Sequence, residues 1–323
     1  MTKKNFAYKA TKLLTTVSLM TMLFSSMSMT QVKVEASELN GPVYSYGESL
    51  TAQEKERTAE LLGVKKGSKE IEVKINEMNT ILHNSYNYNQ VYSSVYMESK
   101  DTGEGVSVEI ITPNTITKIT PAQYQNAAIT AGAVNLSIKI ASVKAVDGSG
   151  ALAGVYKAFS DANMELSQEN IEVAQEELEE TSQISEDNKG KEGYSDELLN
   201  AAIADIKDQI QKEKDNNNGN ITQVTITNIV NNVLNNYNLN TILSEENKER
   251  LISLMQKFSE LEFTAAQKEA LKEFGQNLID KGGDLMDSVK STWENLDDDV
   301  KTGITGFFQN IFKSIKDFFS GLF

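Results

Sequence analysis

His83 is the only histidine and the chain has no cysteine, so nucleophilic and metal chemistry have little to draw on. A Ser-His-Asp triad would have to use His83, which leads into the polar run Asn84-Ser-Tyr-Asn-Tyr-Asn-Gln90. No Gly-x-Ser-x-Gly elbow supplies a matching serine. One His without Cys cannot close a zinc site unless several carboxylates join it. His83 therefore reads as a loop histidine, and no catalytic, cofactor or metal residue is assigned.

Three other patterns could carry chemistry. Gly148-x-Gly150-x-x-x-Gly154 lies between a strand pattern and a helix pattern. In dinucleotide-binding folds such glycines bring backbone amides to a pyrophosphate. The helical, acidic stretch that follows lacks the second strand such a unit needs, so a tight turn with close packing at Gly154 is the better reading. Paired carboxylates could serve glycoside hydrolysis, but the acids Glu176, Glu177, Glu179 and Glu180 read as one solvated helix face. The single Trp, Trp293, lies far along the chain. Asp215 to Asn220 resembles a calcium loop but fails the register, because Gly219 is fifth and Ile226 twelfth where Gly sixth and Glu twelfth are required. Asp297 to Asp299 reads as a helix-capping acidic turn.

The elements that would position these groups fall into two textures. Thr51-Ala-Gln-Glu54 is a capping box that opens a helix running to Leu62 and stopping at Gly63. Ile71, Val73 and Ile75 alternate with polar residues as in a half-buried strand. Tyr92–Glu98 and Val106–Ile111 read as strands joined in a hairpin by the Gly-rich turn Asp101 to Gly105. Thr120 and Pro121 open a second helix that ends at Gly132, Val134 to Val146 alternates again, and a helix follows from Ala151 to Asp161. Beyond Met164 helical spacing dominates. Leu166–Leu178 and Leu198–Ile210 carry apolar stripes, as do Ser244–Leu261, Thr264–Asp280 and Leu285–Leu296. Ile221–Leu243 is β-branched, but its spacing of three and four favours a helix. Thr264 and Gln267 form another capping box.

Both termini carry stronger signals. Lys3, Lys4, Lys9 and Lys12 precede an uncharged apolar run from Leu13 to Met29, and Val34-Glu-Ala36 offers a small-x-Ala cleavage pattern. Cleavage after Ala36 would start the mature chain at Ser37. Removing that +4 segment from a chain of net charge −15 leaves −19, which disfavours nucleic acid as a partner. Export without cysteines fits a Gram-positive bacterium. At the other end Ile304, Phe307, Phe308, Ile311, Phe312, Ile315, Phe318, Phe319, Leu322 and Phe323 fall in one arc of roughly 160° at helical spacing. Lys313 and Lys316 lie on the opposite, polar face. Such a helix suits an anionic membrane surface or a partner protein, or docking on the chain's own helices.

Gly47-Glu-Ser-Leu-Thr51, Asp101-Thr-Gly-Glu-Gly105, Tyr124-Gln-Asn-Ala-Ala-Ile-Thr-Ala-Gly132 and Gly148-Ser-Gly-Ala-Leu-Ala-Gly154 together resemble the YpuA-like exported proteins of Gram-positive bacteria. That family has no established activity, so the resemblance implies an envelope location and hands over no catalytic residues.

The fold class expected is α+β. A signal peptide over 1–36 would precede a small mixed α/β domain over 37–163, an elongated helical region over 164–300, and an amphipathic C-terminal helix over 301–323. The function expected is that of a non-enzymatic protein at the outer face of the cell envelope, with the α/β domain projecting on a helical stalk. Its partner would be a membrane surface or an envelope protein bound through the C-terminal helix, with no cofactor. The alternatives are a secreted membrane-perturbing protein and a carboxylate-dependent envelope hydrolase.

Overall fold

The computed structural model describes residues 39–82, 87–162, 167–275 and 277–278; residues outside these ranges are not described. The signal segment 1–36, His83, Trp293, Asp297 to Asp299 and the C-terminal helix over 301–323 all lie outside them. Five strands form one sheet: β1 (Val43–Gly47), β2 (Lys69–Val73), β3 (Ser94–Ser99), β4 (Val106–Ile110) and β5 (Leu136–Ala141). Their order is β2-β1-β3-β5-β4. The β1/β2 and β4/β5 pairs are parallel, and β3 runs antiparallel to both β1 and β5.

Capping chemistry sets the helix starts as the sequence predicts. Helix α1 (Ala52–Leu62) opens on Thr51, whose backbone N–H donates to Glu54 Oε2 at 3.0 Å while its hydroxyl accepts from the Glu54 amide. Gly63 then closes it at φ 68°, a left-handed conformation that glycine adopts without strain. Thr120 and Gln123 form the same reciprocal box at the start of α3 (Pro121–Ala131), and Thr264 with Gln267 opens the helix of residues 265–275, here α9. Helix α4 is Gly150–Asp161, α5 is Gln168–Asn188, α6 is Asp196–Asn216, α7 is Gln223–Asn236 and α8 is Glu245–Glu260.

Two local expectations are corrected. The turn Asp101 to Gly105 does not close a hairpin, because β5 lies between β3 and β4. The turn instead wraps the start of β5. Asn135 Oδ1 accepts from the Gly103 and Gly105 amides, and the Asn135 carbonyl accepts from Lys100 N–H at 2.7 Å. The second correction is at Ile75, which begins α2 (Ile75–Leu82) rather than extending β2. Glu48 Oε2 accepts the Ile75 amide at 2.7 Å and Glu77 Oε2 accepts that of Lys74. Two carboxylates thus satisfy orphan donors at a helix start.

Helices α3 and α4 bury the apolar sheet face, which carries Val43, Val73, Val95, Met97, Ile138 and Ile140. A second apolar core joins α6, α7 and α8 through Ile203, Ile206, Val230, Leu234, Leu251 and Phe258. The helical half is therefore no elongated stalk. Helix α5 packs along α3 and against α8, and α6 also meets α3. Ala270, Leu271 and Phe274 of α9 then return to the first core.

At Gly154 the helix-to-sheet distance is at its limit. A Cβ there would meet Val95 Cγ2 at 2.8 Å and Ser45 Cβ at 3.2 Å. Overpacking of this kind costs about 1–3 kcal/mol. Gly154→Val is expected to lower unfolding stability by about that amount in urea titrations. A Gly150→Ala control should cost less, since its nearest neighbours include the Met78 thioether at 3.2 Å.

Candidate functional site

The Gly-rich turn is a joint rather than a phosphate cradle. Asp147 Oδ1 accepts the Ser149 amide and hydroxyl, both at 3.0 Å, so a carboxylate of the chain already occupies the start of α4. Gly148 has φ 113°, and its carbonyl accepts the buried Tyr124 hydroxyl. Burial pushes that phenol well above its ordinary pKa. Ser45 Oγ donates to the Gly154 carbonyl at 3.0 Å. The next described element is α5, not a strand.

The densest polar chemistry lies where α3, α5 and α6 meet. Lys207 and Glu177 form an ion pair with both side chains 1% exposed. Lys207 Nζ also donates to Asn126 Oδ1 at 2.7 Å and Thr130 Oγ1 at 2.8 Å, and Thr130 donates to the other Glu177 oxygen at 2.6 Å. Every proton of the ammonium therefore has an acceptor. The network continues in both directions. Asn126 Nδ2 reaches Asn200 Oδ1 at 3.3 Å, Gln123 Nε2 donates to Ser185 Oγ at 3.0 Å, and Asn170 donates to the Thr130 carbonyl. Tyr194 Oη lies 3.0 Å from Ser185 Oγ and donates to Asp196.

Burial pulls the Lys207 pKa down, while the Glu177 carboxylate holds the charge in place. Tyr156, also buried, has its phenol pushed well above the ordinary range by burial and by the Glu177 charge. Its Oη finds no hydrogen-bond partner among the described residues. Enclosed on all sides, this lysine has no access for a substrate. What the arrangement can do is fix how three helices meet, because a charge removed from water must keep its partners.

The seam corrects the reading of the acidic run. Glu177 is buried in the seam, whereas Glu176 pairs with Lys257 and Glu180 with Arg250. The missed signal was positional. Lys207 falls four residues after Ile203 and three before Ile210, squarely on the apolar stripe of α6. At the loop first compared with a calcium site, α6 runs to Asn216 and Lys268 holds the Asp215 carboxylate at 2.6 Å. Among the described residues no group of three or more His, Cys, Asp or Glu is placed to hold a metal ion. No helix among them is long and apolar enough to cross a membrane. The tail residues Ile304 to Phe323, with Lys313 and Lys316, and Ala36 at the cleavage pattern lie outside the described residues.

Sheet, bundle and seam define an α+β protein with two apolar cores joined through a buried polar helix interface. The chain belongs to the family DUF1002, described as a protein of unknown function, whose sequence model matches residues 46–274. No curated protein and no solved structure matches the chain. The family match runs from within β1 to Phe274 in α9 and so takes in the whole seam.

Removing one partner leaves the other charge buried alone. Lys207→Met is expected to cost about 3–5 kcal/mol, and the double change Lys207→Met with Glu177→Leu should recover most of it. Urea unfolding of the three proteins checks this. A second test concerns Asp205, whose carboxyl burial raises to about 6 from 3.8. Its folded form holds a proton more tightly than its unfolded form. The stability it contributes is thus full at acid pH and lost as pH rises through about 6. Melts of Asp205→Asn should lack the part of the decline between pH 4 and pH 6 that wild type shows.

Proposed function

We propose that this is an exported, non-enzymatic protein of the Gram-positive cell envelope, held at a membrane surface by residues 302–323. The observation that carries the reading is a contrast in apolar surface. Among the described residues Val224 is the large hydrophobic that stands exposed, while the spacing of the tail sequence, read as a helix, would put ten apolar side chains in one arc with Lys313 and Lys316 opposite. Each buried Phe or Ile contributes about 1.5–3 kcal/mol, so partial immersion of ten of them exceeds the cost of ordering one helix. Lysines on the polar face add attraction to anionic headgroups. The N-terminal basic and apolar run supports export, and the resemblance to YpuA-like proteins supports the envelope and the Gram-positive setting. The reading is non-enzymatic because the densest polar cluster, around Lys207, is sealed from substrate.

Vesicle co-sedimentation of the chain from Ser37 tests this. The protein should pellet with anionic vesicles more than with neutral ones, and Phe308→Glu with Phe312→Glu should abolish pelleting while leaving the melting temperature unchanged. Equal pelleting of the double variant would end the anchor reading. Dye release at low protein-to-lipid ratio would replace it with membrane perturbation.

A further inference from the structure

From Asn216 to Ser244 no side chain carries a charge, in a sequence that is 24% charged overall. This stretch contains α7, which packs on α6 and α8 and buries Ile226, Val230, Val233 and Leu234. On the outer side Val224 stands 71% exposed. Asn228 and Asn235 are exposed with it, and Asn231 is half-buried between them. Steps of four, three and four put these four residues within an arc of about 60° along the helix. That is the spacing of a seam between two paired helices.

Exposure to water alone does not call for this composition. Asn is a weak helix former, and Lys, Glu or Gln would hold an exposed helix better. The outer positions of α5 and α8 follow that rule with Glu172, Glu179, Glu246 and Glu249. Helix α7 instead carries five Asn in its 14 residues and no charge.

We infer that a second copy of this chain docks on this stripe, α7 against α7 and antiparallel about a two-fold axis. Charge selects that partner. At a net charge of −15, two copies repel wherever their acidic surfaces meet, and an uncharged face lets them approach without that penalty. The stripe is also self-complementary, as a two-fold interface requires. An axis between Ile229 and Val230 sets Asn228 against Asn231 of the other copy and Val224 against Asn235, each pair occurring twice. An Asn amide both donates and accepts, so Asn228 and Asn231 can bond reciprocally across the axis. Antiparallel docking opposes the two helix dipoles, which parallel docking would align. A helix of 14 residues is about 21 Å long, so the interface is small and belongs with weak, reversible contacts. The inference goes beyond the envelope reading and does not depend on it.

Sedimentation equilibrium tests this on the chain from Ser37 carrying Phe308→Glu with Phe312→Glu, so that association through the tail does not contribute. That parent protein should dimerise with a Kd on the order of 100 µM. Adding Asn228→Glu with Asn231→Glu sets like charges across the axis and should leave a monomer at about 300 µM. Its melting temperature should hold or rise, because Glu favours a helix more than Asn does. Adding instead Asn228→Glu with Asn231→Lys sets opposite charges across an antiparallel axis, and this protein should associate at least as tightly as the parent. A parent that stays monomeric at about 300 µM, a double-Glu protein that associates like the parent, or a Glu/Lys protein that stays monomeric would overturn the inference.

Discussion

One ammonium group governs how the two halves of this protein meet. Lys207 is out of water, and a charge in that position is tolerable only while Glu177, Asn126 and Thr130 stay where they are. Those partners sit on two other helices, so the requirement is a constraint on the angle and register of α3, α5 and α6 together. An apolar interface would allow sliding at little cost, since hydrophobic burial is nondirectional. Here each hydrogen bond has a direction, and a shift of one helical turn would leave several buried groups without partners. Specificity of assembly, more than net stability, is what such a network contributes.

The sheet shows the opposite economy on its two faces. Against α3 and α4 it offers Val, Ile, Met and Leu, packed so closely that Gly154 has no room for a side chain. Toward α1 it offers tyrosine, serine, lysine and glutamate, with a small apolar cluster of Tyr44, Leu62, Tyr96 and Ala141. Leu62 of α1 seals that cluster, so this face too buries large side chains beneath its cover.

Local rules were legible in the sequence and long-range ones were not. The capping boxes at Thr51, Thr120 and Thr264, the stops at Gly63 and Gly132 and the apolar stripe of α7 all follow from hydrogen-bond demand and periodicity within one turn or two. The hairpin between β3 and β4 failed because Gly103 and Gly105 have two uses, turning the chain and donating to Asn135, thirty residues further on. Glu177 failed for a related reason. Four acids in five positions look like a wetted surface, and only the lysine on α6, thirty residues away, gives one of them a reason to be inside. The α+β class survived these errors because it depends on the number and type of elements rather than on who pairs with whom.

The first core is assembled from two separated stretches of chain. Its sheet, α3, α4 and α5 come early, but Ala270, Leu271 and Phe274 come after the whole bundle of α6 to α8. During synthesis, therefore, the sheet waits with part of its apolar surface uncovered until more than two hundred residues have followed β1. Late closure of this kind raises the mean sequence separation of contacts and slows folding, and it leaves a sticky intermediate in the meantime. The bundle must form, or at least be threaded into place, before its neighbour can finish.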